Sequence, residues 1–360
     1  MNVMFVANKD ITLYLFRREL LEKIIQKGNN VYIVCPQGSK LKYFIELGCI
    51  HIDICLDRRG KNPFNELKTI LQLNKIIKKY CPDFVYSYTI KPNLYVGIVR
   101  RIKKFMYIPT VTGLGTVVNK KGILSLIIKY LYKVSFKKVD MVYFQNANNL
   151  EWFSKNVSSK YPSRLVPGSG VNLSHFYYQE MTNDKNTTFL YLGRIMKEKG
   201  IDELLEAAIF LKAKYDDKIK FRFAGFFEEN YESRFNSLNN VIEYIGFIDD
   251  TREELSRCSA LVLPSYHEGL SNVLLEAQAT GRPVLASNIP GCIETFIEGI
   301  SGFSFESKNS KSLISCLEKF HLLQFESKRE MGIAGREHVE RNYNREIIVN
   351  SYLELLKGGK

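Results

Sequence analysis

The chain has 360 residues, of which 45% are hydrophobic, 12% aromatic and 25% charged. This length exceeds that of a typical single domain, about 100 to 200 residues, and the composition excludes a largely disordered protein. The seven cysteines form no CxxC pair and are odd in number, which argues against a zinc site and against a disulfide framework. We therefore expect two globular domains, each with its own core.

Positive charge is concentrated in the first half of the chain. The net charge is +13, but residues 1–165 hold 28 of the 51 Lys and Arg and only 10 of the 38 Asp and Glu, so that half carries +18 and the remainder −5. This asymmetry suggests an anionic partner, either nucleic acid or an acidic membrane leaflet. A solvated, lysine-rich surface is the alternative.

Apolar runs rich in β-branched residues alternate with amphipathic segments along the first half. In chain order the first of these are NVMFVA, LFRRELLEKIIQKG, NVYIVCP, SKLKYFIELGC and IHIDICL. Such alternation is typical of a doubly wound parallel α/β sheet. Helices are predicted to end at Gly28, Gly48 and Cys81 with the following Pro82.

The alternation fails between residues 166 and 187, where Gly, Ser, Asn, Asp and Thr predominate, and then restarts. We predict a first domain over residues 1–165, a linker over 166–187 and a second domain over 188–343. A terminal helix at about 344–360 should pack back on the first domain. Two such domains should face a cleft, and ligands should bind outside the carboxyl ends of the strands.

The stretch HEGLSNVLLE, residues 267–276, follows the predicted strand ALVLPSY. Glu268 should lie in the loop, Ser271 should cap the next helix, and Glu276 should lie in its second turn before Gly281 ends it. Outward-pointing N–H groups suited to a diphosphate are predicted at Gly269, Leu270, Ser271 and Asn272. Phosphates would repel carboxylates, so the two glutamates should accept hydrogen bonds from sugar and ribose hydroxyls.

Two other segments follow predicted strands of the second domain. In LGRIMKEKG, Gly193 and Arg194 end a strand and Lys199 lies five residues after Arg194, so the two cations could clamp two phosphates. In SNIPGCIE, Gly291 precedes a helix-like run and could bring further backbone donors to the same edge. Taken alone, these are ordinary surface cations and a tight turn.

Together these stretches resemble the retaining GT-B glycosyltransferases of family 4, from Met1 to about Leu356. Glu268 and Glu276 match the family's E-x7-E motif, and GRIMKEKG matches its diphosphate-binding GR…KG segment. More narrowly, VYSYTIKPNLYVGIVRR with PTVTGLGT looks like bacterial enzymes that add N-acetylgalactosamine or a related sugar to lipid-linked oligosaccharides. The implied fold is α/β, with two Rossmann-like doubly wound domains facing a cleft.

The resemblance implies a UDP-sugar donor held mainly by the second domain. Arg194 and Lys199 would bind the diphosphate, Glu276 the ribose, and Glu268 the transferred sugar near its 3- and 4-hydroxyls. The nucleobase would lie at the backbone of Gly246, Phe247 and Ile248, and Gly291 would lie beneath the sugar and phosphates. Acceptor-side residues would be Lys91, Thr112, Gly113 and Gly115.

The chain departs from the family pattern in its first domain. The turn after the first strand, ANKDITLY, has no glycine, and Ile90 stands where many relatives have a histidine near the reacting sugar. His51 lies in a strand-like segment and is interpreted as structural. We therefore predict no general base: the leaving diphosphate oxygen would itself accept the acceptor's proton on the same face of the sugar.

No metal or cofactor is expected. The chain has no Asp-x-Asp pair beside the donor motifs, and the adjacent Asp249 and Asp250 should cap the following helix. A metal-independent transfer would leave Arg194, Lys199 and the helix N-terminus to stabilise the departing negative charge.

The segment Lys120 to Asp140, KKGILSLIIKYLYKVSFKKVD, combines apolar residues with six lysines. Basic amphipathic helices of this kind can lie on an anionic leaflet. The arginines and lysines within residues 100–104 would strengthen the attraction. The alternative is an ordinary packed helix with a wet basic face. The segment is too interrupted by lysines for us to expect a membrane span, and the pattern of residues 1–8 does not predict a signal peptide.

We therefore expect a cytoplasmic protein at the inner face of the membrane that transfers a hexose derivative to an undecaprenyl-diphosphate type of glycan in surface polysaccharide biosynthesis. Nucleic-acid binding is disfavoured because the chain has no zinc-finger spacing and no RNP-like aromatic strand. A GT-B sugar-nucleotide epimerase or hydrolase, and a non-catalytic scaffold that binds sugar nucleotides, are the alternatives.

Overall fold

The computed structural model describes residues 1–56, 62–113 and 123–357, which form two α/β units. The first domain comprises Met1–Ser169 and the C-terminal residues from Glu346, and the second comprises Gly170–Arg345. Residues 170–187, which we predicted to be linker, therefore belong to the second domain. The start of this segment is held in the second domain by backbone hydrogen bonds. The Val171 N–H donates to the Tyr343 carbonyl, and the Val171 carbonyl accepts the Arg345 N–H.

The first domain is built on a seven-stranded parallel sheet in the order β3-β2-β1-β4-β5-β6-β7. Its central strands are apolar at nearly every position because helices cover both faces; Val3, Met4, Phe5 and Val6 are all fully buried. The strands are β1 Asn2–Val6, β2 Asn30–Val34, β3 Ile50–Ile52, β4 Phe84–Tyr88, β5 Met106–Val111, β6 Val142–Phe144 and β7 Ser163–Leu165.

The helices of this domain end where the sequence predicts. Gly28, Gly48 and Cys81 all have positive φ, and Cys81, at 42°, is the left-handed C-cap of its helix. The same helix begins with Asn62, whose side chain accepts the N–H of Phe64. The helices are α1 Asp10–Gln26, α2 Leu41–Glu46, α3 Pro63–Tyr80, α4 Ile90–Arg100, α5 Ile123–Ser135, α6 Ala147–Asn156 and the C-terminal α13 Arg345–Lys357.

Helix α13 is part of the core of the first domain. Tyr352 is fully buried, and its ring stacks on Tyr143 with the centroids 4.2 Å apart. The Tyr352 hydroxyl is 2.7 Å from Oγ1 of Thr110 in β5, and the Arg17 guanidinium of α1 lies over the same ring. The last helix is therefore fixed to β5, β6 and α1 by both apolar and polar contacts.

The second domain contains a six-stranded parallel sheet in the order β10-β9-β8-β11-β12-β13. The strands are β8 Thr187–Leu192, β9 Ile219–Ala224, β10 Glu243–Tyr244, β11 Ala260–Leu263, β12 Val284–Ser287 and β13 Gly302–Phe305. The helices are α7 Ile201–Tyr215, α8 Glu232–Ser237, α9 Arg252–Arg257, α10 Asn272–Ala279, α11 Ser310–His321 and α12 Phe325–Asn342.

All strands of this second sheet run in the same direction, so the loops that follow them lie at one edge. The chain adds β9 and β10 on one side of β8 and then returns to add β11, β12 and β13 on the other. This reversal of strand order, between β8 and β11, is where open α/β sheets bind ligands. The predicted motif loops, residues 193–200 and 267–271, follow β8 and β11 and therefore flank the reversal.

No helix within residues 1–56, 62–113 or 123–357 is both long enough and apolar enough to cross a membrane.

We expect Tyr352→Ala to destabilise the first domain by about 3 to 5 kcal/mol, because it removes a fully buried aromatic ring and leaves the Thr110 hydroxyl without this partner. Urea unfolding followed by circular dichroism measures the change. The control is Ile347→Ala on the same helix, where the side chain is exposed and the loss should stay below about 1 kcal/mol. Equal losses for the two variants would contradict a core role for α13.

Candidate functional site

The loop after β8 is held by the loop after β9. The Ile195 N–H donates to the Phe226 carbonyl (2.9 Å), and the Glu228 N–H donates back to the Ile195 carbonyl (3.0 Å). Tyr191 Oη donates to the Arg194 carbonyl at 2.7 Å. The Gly193 N–H, predicted to be near the donor, is engaged by the Ala224 carbonyl (3.0 Å). These bonds fix the backbone from which the Arg194 side chain projects.

Lys199 is placed by a close approach between two backbones. Lys197–Lys199 form a single 3₁₀ turn, and Gly200 then starts α7 with φ 70°. A Cβ on Gly200 would lie 2.0 Å from the Pro264 carbonyl oxygen after β11, so only glycine fits there. The loops that follow β8 and β11 are therefore in contact at the reversal of strand order.

Both predicted phosphate-binding cations have carboxylate partners. Arg194 Nη1 lies 2.5 Å from Glu228 Oε2, and Lys199 Nζ lies 2.5 Å from Glu268 Oε1. Lys199 is therefore a partner of Glu268 within the protein, in addition to the sugar hydroxyls that Glu268 is predicted to bind. Glu228 was not predicted; no motif marks it, and only the register of the β9 loop against the β8 loop brings it to Arg194.

Gly291 joins the loop after β12 to the loop after β11. A Cβ on Gly291, which has φ 84°, would lie 2.6 Å from the Gly269 carbonyl oxygen. The Gly291 carbonyl accepts the Ser271 N–H at 2.8 Å. The prediction that the Ser271 N–H points outward is therefore wrong. The predicted helix-like run after Gly291 is only a 3₁₀ turn, Ile293–Thr295.

The start of α10 differs from the prediction in its chemistry. Ser271 occupies the N-cap position, but its side chain makes no capping hydrogen bond and is buried. Leu270 is also buried and packs with Val171 and Leu275 in a small apolar cluster. Leu270 and Ser271 therefore anchor the loop, while the half-buried Gly269 and Asn272 remain at the edge of the sheet.

Glu276 lies in the second turn of α10, as predicted, and the helix ends at Thr280 before Gly281, whose φ is 83°. Burial raises the pKa of the Glu276 carboxyl to about 7, and the nearby positive charge of Arg345 partly opposes this rise. Glu276 therefore titrates near neutral pH, which its sequence position did not indicate.

An exposed aromatic pair lies at the same edge, after β9 and β10. Phe247 is 64% exposed, and its ring centroid is 6.2 Å from that of Phe226. The Gly246 carbonyl, predicted to be near the nucleobase, accepts the Gly225 N–H at 2.9 Å, and Ile248 packs against the domain core. The strand that precedes Gly246, β10, has only two residues, Glu243 and Tyr244, which are exposed at the edge of the sheet.

The predicted acceptor-side residues are only partly described. Lys91, in α4, forms an ion pair with Glu66 of α3 at 2.6 Å. Thr112 and Gly113 follow β5 and are half-buried. Gly115 lies outside the described residues. Lys91 is thus tied to α3, which the sequence did not predict.

His51, Ile90 and Asp250 each make structural contacts within their own domain. His51 Nε2 is 2.9 Å from the Cys35 carbonyl oxygen, and Ile90 packs against the core. Asp250 accepts the N–H of Arg252, the first residue of α9, at 3.1 Å. Among the described residues, no group of three or more His, Cys, Asp or Glu could hold a metal ion.

Two family models match the two halves of the chain. Residues 178–338 match the model "Glycosyl transferases group 1", and residues 2–146 match "Glycosyl transferase 4-like". The 4-like model therefore covers most of the first domain, and the group 1 model covers the loops of the second domain described above. Both halves of the chain therefore match glycosyltransferase family models, and the protein is an enzyme that transfers glycosyl groups.

Two bacterial relatives align with nearly the whole chain. One is the N,N'-diacetylbacillosaminyl-diphospho-undecaprenol alpha-1,3-N-acetylgalactosaminyltransferase of Campylobacter jejuni, 29% identical over 99% of this chain and 98% of its own length. The other is the capsular polysaccharide biosynthesis glycosyltransferase CapM of Staphylococcus aureus, 27% identical over 95% of this chain and 92% of its own length.

A solved structure shares the fold. The crystal structure of Anabaena HepE in complex with UDP-glucose superposes with a TM-score of 0.80 at 14% identity, covering 99% of this chain and 100% of that one. The predicted GT-B class, with two Rossmann-like α/β domains, is confirmed.

We expect the stability of the chain to fall, relative to Glu276→Gln, as pH rises from 5 to 8. The pKa of the Glu276 carboxyl is about 7 in the folded chain and 4.5 ordinarily, so the folded state binds this proton more tightly. The stability that proton binding contributes is fully present below pH 4.5 and is lost as pH rises through 7. The difference should reach up to about 3 kcal/mol. Thermal unfolding across this range measures it, with exposed Glu330→Gln as control; parallel curves for wild type and Glu276→Gln would contradict the shifted pKa.

Proposed function

We propose that the protein is a retaining glycosyltransferase that moves a hexose derivative, N-acetylgalactosamine or a related sugar, from a UDP-sugar to an undecaprenyl-diphosphate-linked glycan in capsule or O-antigen synthesis. One observation carries the proposal: the loops after β8, β11 and β12 are fastened together by backbone contacts, with Arg194, Lys199 and Glu268 on them. The relatives' names and the nucleotide-sugar complex of HepE support the substrate classes.

The donor would lie along this edge of the second domain. Arg194 and Lys199 supply positive charge for the diphosphate, and Glu268, next to Lys199, supplies a carboxylate for sugar hydroxyls. Glu276 would accept hydrogen bonds from the ribose, and the base would lie by Phe247, whose exposed ring offers a stacking surface.

Transfer with retention would proceed on one face of the sugar. The bond between the anomeric carbon and the diphosphate oxygen breaks, the acceptor oxygen bonds to the same face of that carbon, and the acceptor's proton passes to the leaving diphosphate. Neither Ile90 nor the engaged His51 would serve as a base in this route. Arg194 and Lys199 would stabilise the developing charge, which is the main requirement of such a step.

The acceptor would bind the first domain and meet the protein at the cytoplasmic surface of the membrane. Helix α5 carries the expected amphipathic pattern: Leu126, Ile127 and Tyr130 are exposed, and so is Lys133 on the same side. Large apolar side chains exposed beside lysines fit the interface of an anionic leaflet better than water.

Helix α3 adds a second exposed apolar stripe that the sequence reading missed. Phe64, Leu67 and Leu71 recur every three or four residues and are each more than half exposed. Both α3 and α5 pack against α4, which is mostly buried between them. We interpret the two stripes, with the surrounding lysines, as one membrane-facing surface.

We expect purified protein to transfer sugar from a UDP-sugar to a synthetic polyprenyl-diphosphate-linked acceptor, and expect Arg194→Ala and Glu268→Ala to lower the rate by about 100-fold or more. Mass spectrometry of the product measures this across a donor panel. The control is Lys212→Ala, which breaks the exposed pair with Asp217 at the opposite edge of the sheet.

Two outcomes would favour other functions. Conversion of the UDP-sugar without any acceptor would indicate an epimerase or hydrolase. Binding of UDP with no turnover across the panel would indicate a scaffold.

We expect the protein to float with vesicles that contain about 30% anionic lipid, and expect Leu126→Ser with Tyr130→Ser to reduce the bound fraction several-fold. Liposome flotation measures this, with Phe210→Ser, an exposed residue of the second domain, as control. Equal recovery of wild type in the soluble fraction with and without anionic lipid would refute the membrane surface.

A further inference from the structure

The loop after β9, residues 225–229, is locked to the loop that carries Arg194. Gly225 approaches so closely that a Cβ there would lie 1.7 Å from the Gly193 carbonyl oxygen. The hydrogen bonds between Ile195 and the residues Phe226 and Glu228 extend the parallel ladder of β8 and β9 beyond the strands. The main chain of Glu228 therefore has little freedom to move relative to Arg194.

Two adjacent glutamates in this loop make different contacts. Glu229 Oε2 accepts the backbone N–H of Lys197 at 2.8 Å, which braces the 3₁₀ turn. Glu228 Oε2 accepts from Arg194 Nη1 at 2.5 Å, which acts on the side chain of the cation itself. The first contact serves the backbone, and the second sets where the guanidinium points.

The guanidinium of Arg194 can bind a second anion while it is paired with Glu228. It has five N–H donors in a rigid plane, and the contact with Glu228 is made through Nη1. Its side chain is 37% exposed, so other donors are accessible, whereas that of Glu228 is only 20% exposed. A phosphate approaching from another side of the plane would be separated from the carboxylate by the guanidinium.

We propose that Glu228 is a positioning residue that holds Arg194 in the orientation in which it binds the donor's diphosphate. The inference rests on the proposed function, in which Arg194 is a phosphate ligand. A free arginine side chain loses conformational entropy when it binds a ligand, and this loss weakens binding. An arginine already held by a fixed carboxylate loses less entropy on binding. Glu228 thereby increases affinity for the diphosphate although it carries the same sign of charge.

The test is a double-mutant cycle on UDP binding by the full chain, measured by calorimetry. Glu228→Ala should weaken UDP binding about 5- to 30-fold, and Glu228→Gln, which keeps an acceptor for Arg194, should weaken it less. In an Arg194→Ala background, Glu228→Ala should change binding by less than about two-fold, because the side chain it positions is gone. Glu232→Ala removes an equal charge from the neighbouring helix α8 and should leave binding unchanged.

Several results would overturn the inference. Tighter UDP binding in Glu228→Ala would show that the carboxylate competes with the phosphates, and unchanged binding would show that it has no role. The same loss in the Arg194→Ala background as in wild type would indicate a general structural effect. If Glu228→Ala does not fold, Glu228→Gln carries the cycle; if Arg194→Ala itself leaves UDP binding unchanged, the donor site of the proposed function fails instead.

Discussion

The constraint on which the second domain depends is the parallel direction of its strands combined with backbone contacts too close for any side chain. Parallel strands bring the loops after β8, β9, β11 and β12 to one edge, and Gly200, Gly225 and Gly291 then let these loops touch. Each glycine meets a carbonyl oxygen of a neighbouring loop. A methyl group at any of them would separate a loop from the edge and move the charged groups apart.

The backbone contacts between these loops hold two pairs of opposite charges close together in a defined geometry. Arg194 and Lys199 are each paired with a carboxylate, so the charges of the two proposed phosphate ligands are balanced within the protein. Neutrality within the protein reduces repulsion in the folded state, and the partly exposed guanidinium keeps donors for a second anion. Affinity for a phosphate then depends on geometry more than on net charge.

Sequence reasoning reached the fold and the motif residues because both are encoded locally. Alternating apolar runs indicated the sheets. Glu268, Glu276 and Arg194 belong to short motifs that follow predicted strands. It missed Glu228 because that contact depends on the register between the β8 and β9 loops, 34 positions apart along the chain. It also misjudged Ser271, whose N–H is taken by Gly291; a residue's type does not show which backbone will approach it.

The charge asymmetry between the halves has a different meaning from that of the motif cations. Residues 166–360 carry a net charge of −5 and contain the proposed phosphate ligands Arg194 and Lys199, whereas residues 1–165 carry +18. At physiological ionic strength, exposed charges are screened beyond about 8 Å, so each basic side chain of a charged surface acts only on anionic groups close to it. Under the proposed function, the basic excess would serve a broad anionic surface facing α3 and α5, and the donor's phosphates would be bound by a few fixed side chains of the acidic domain.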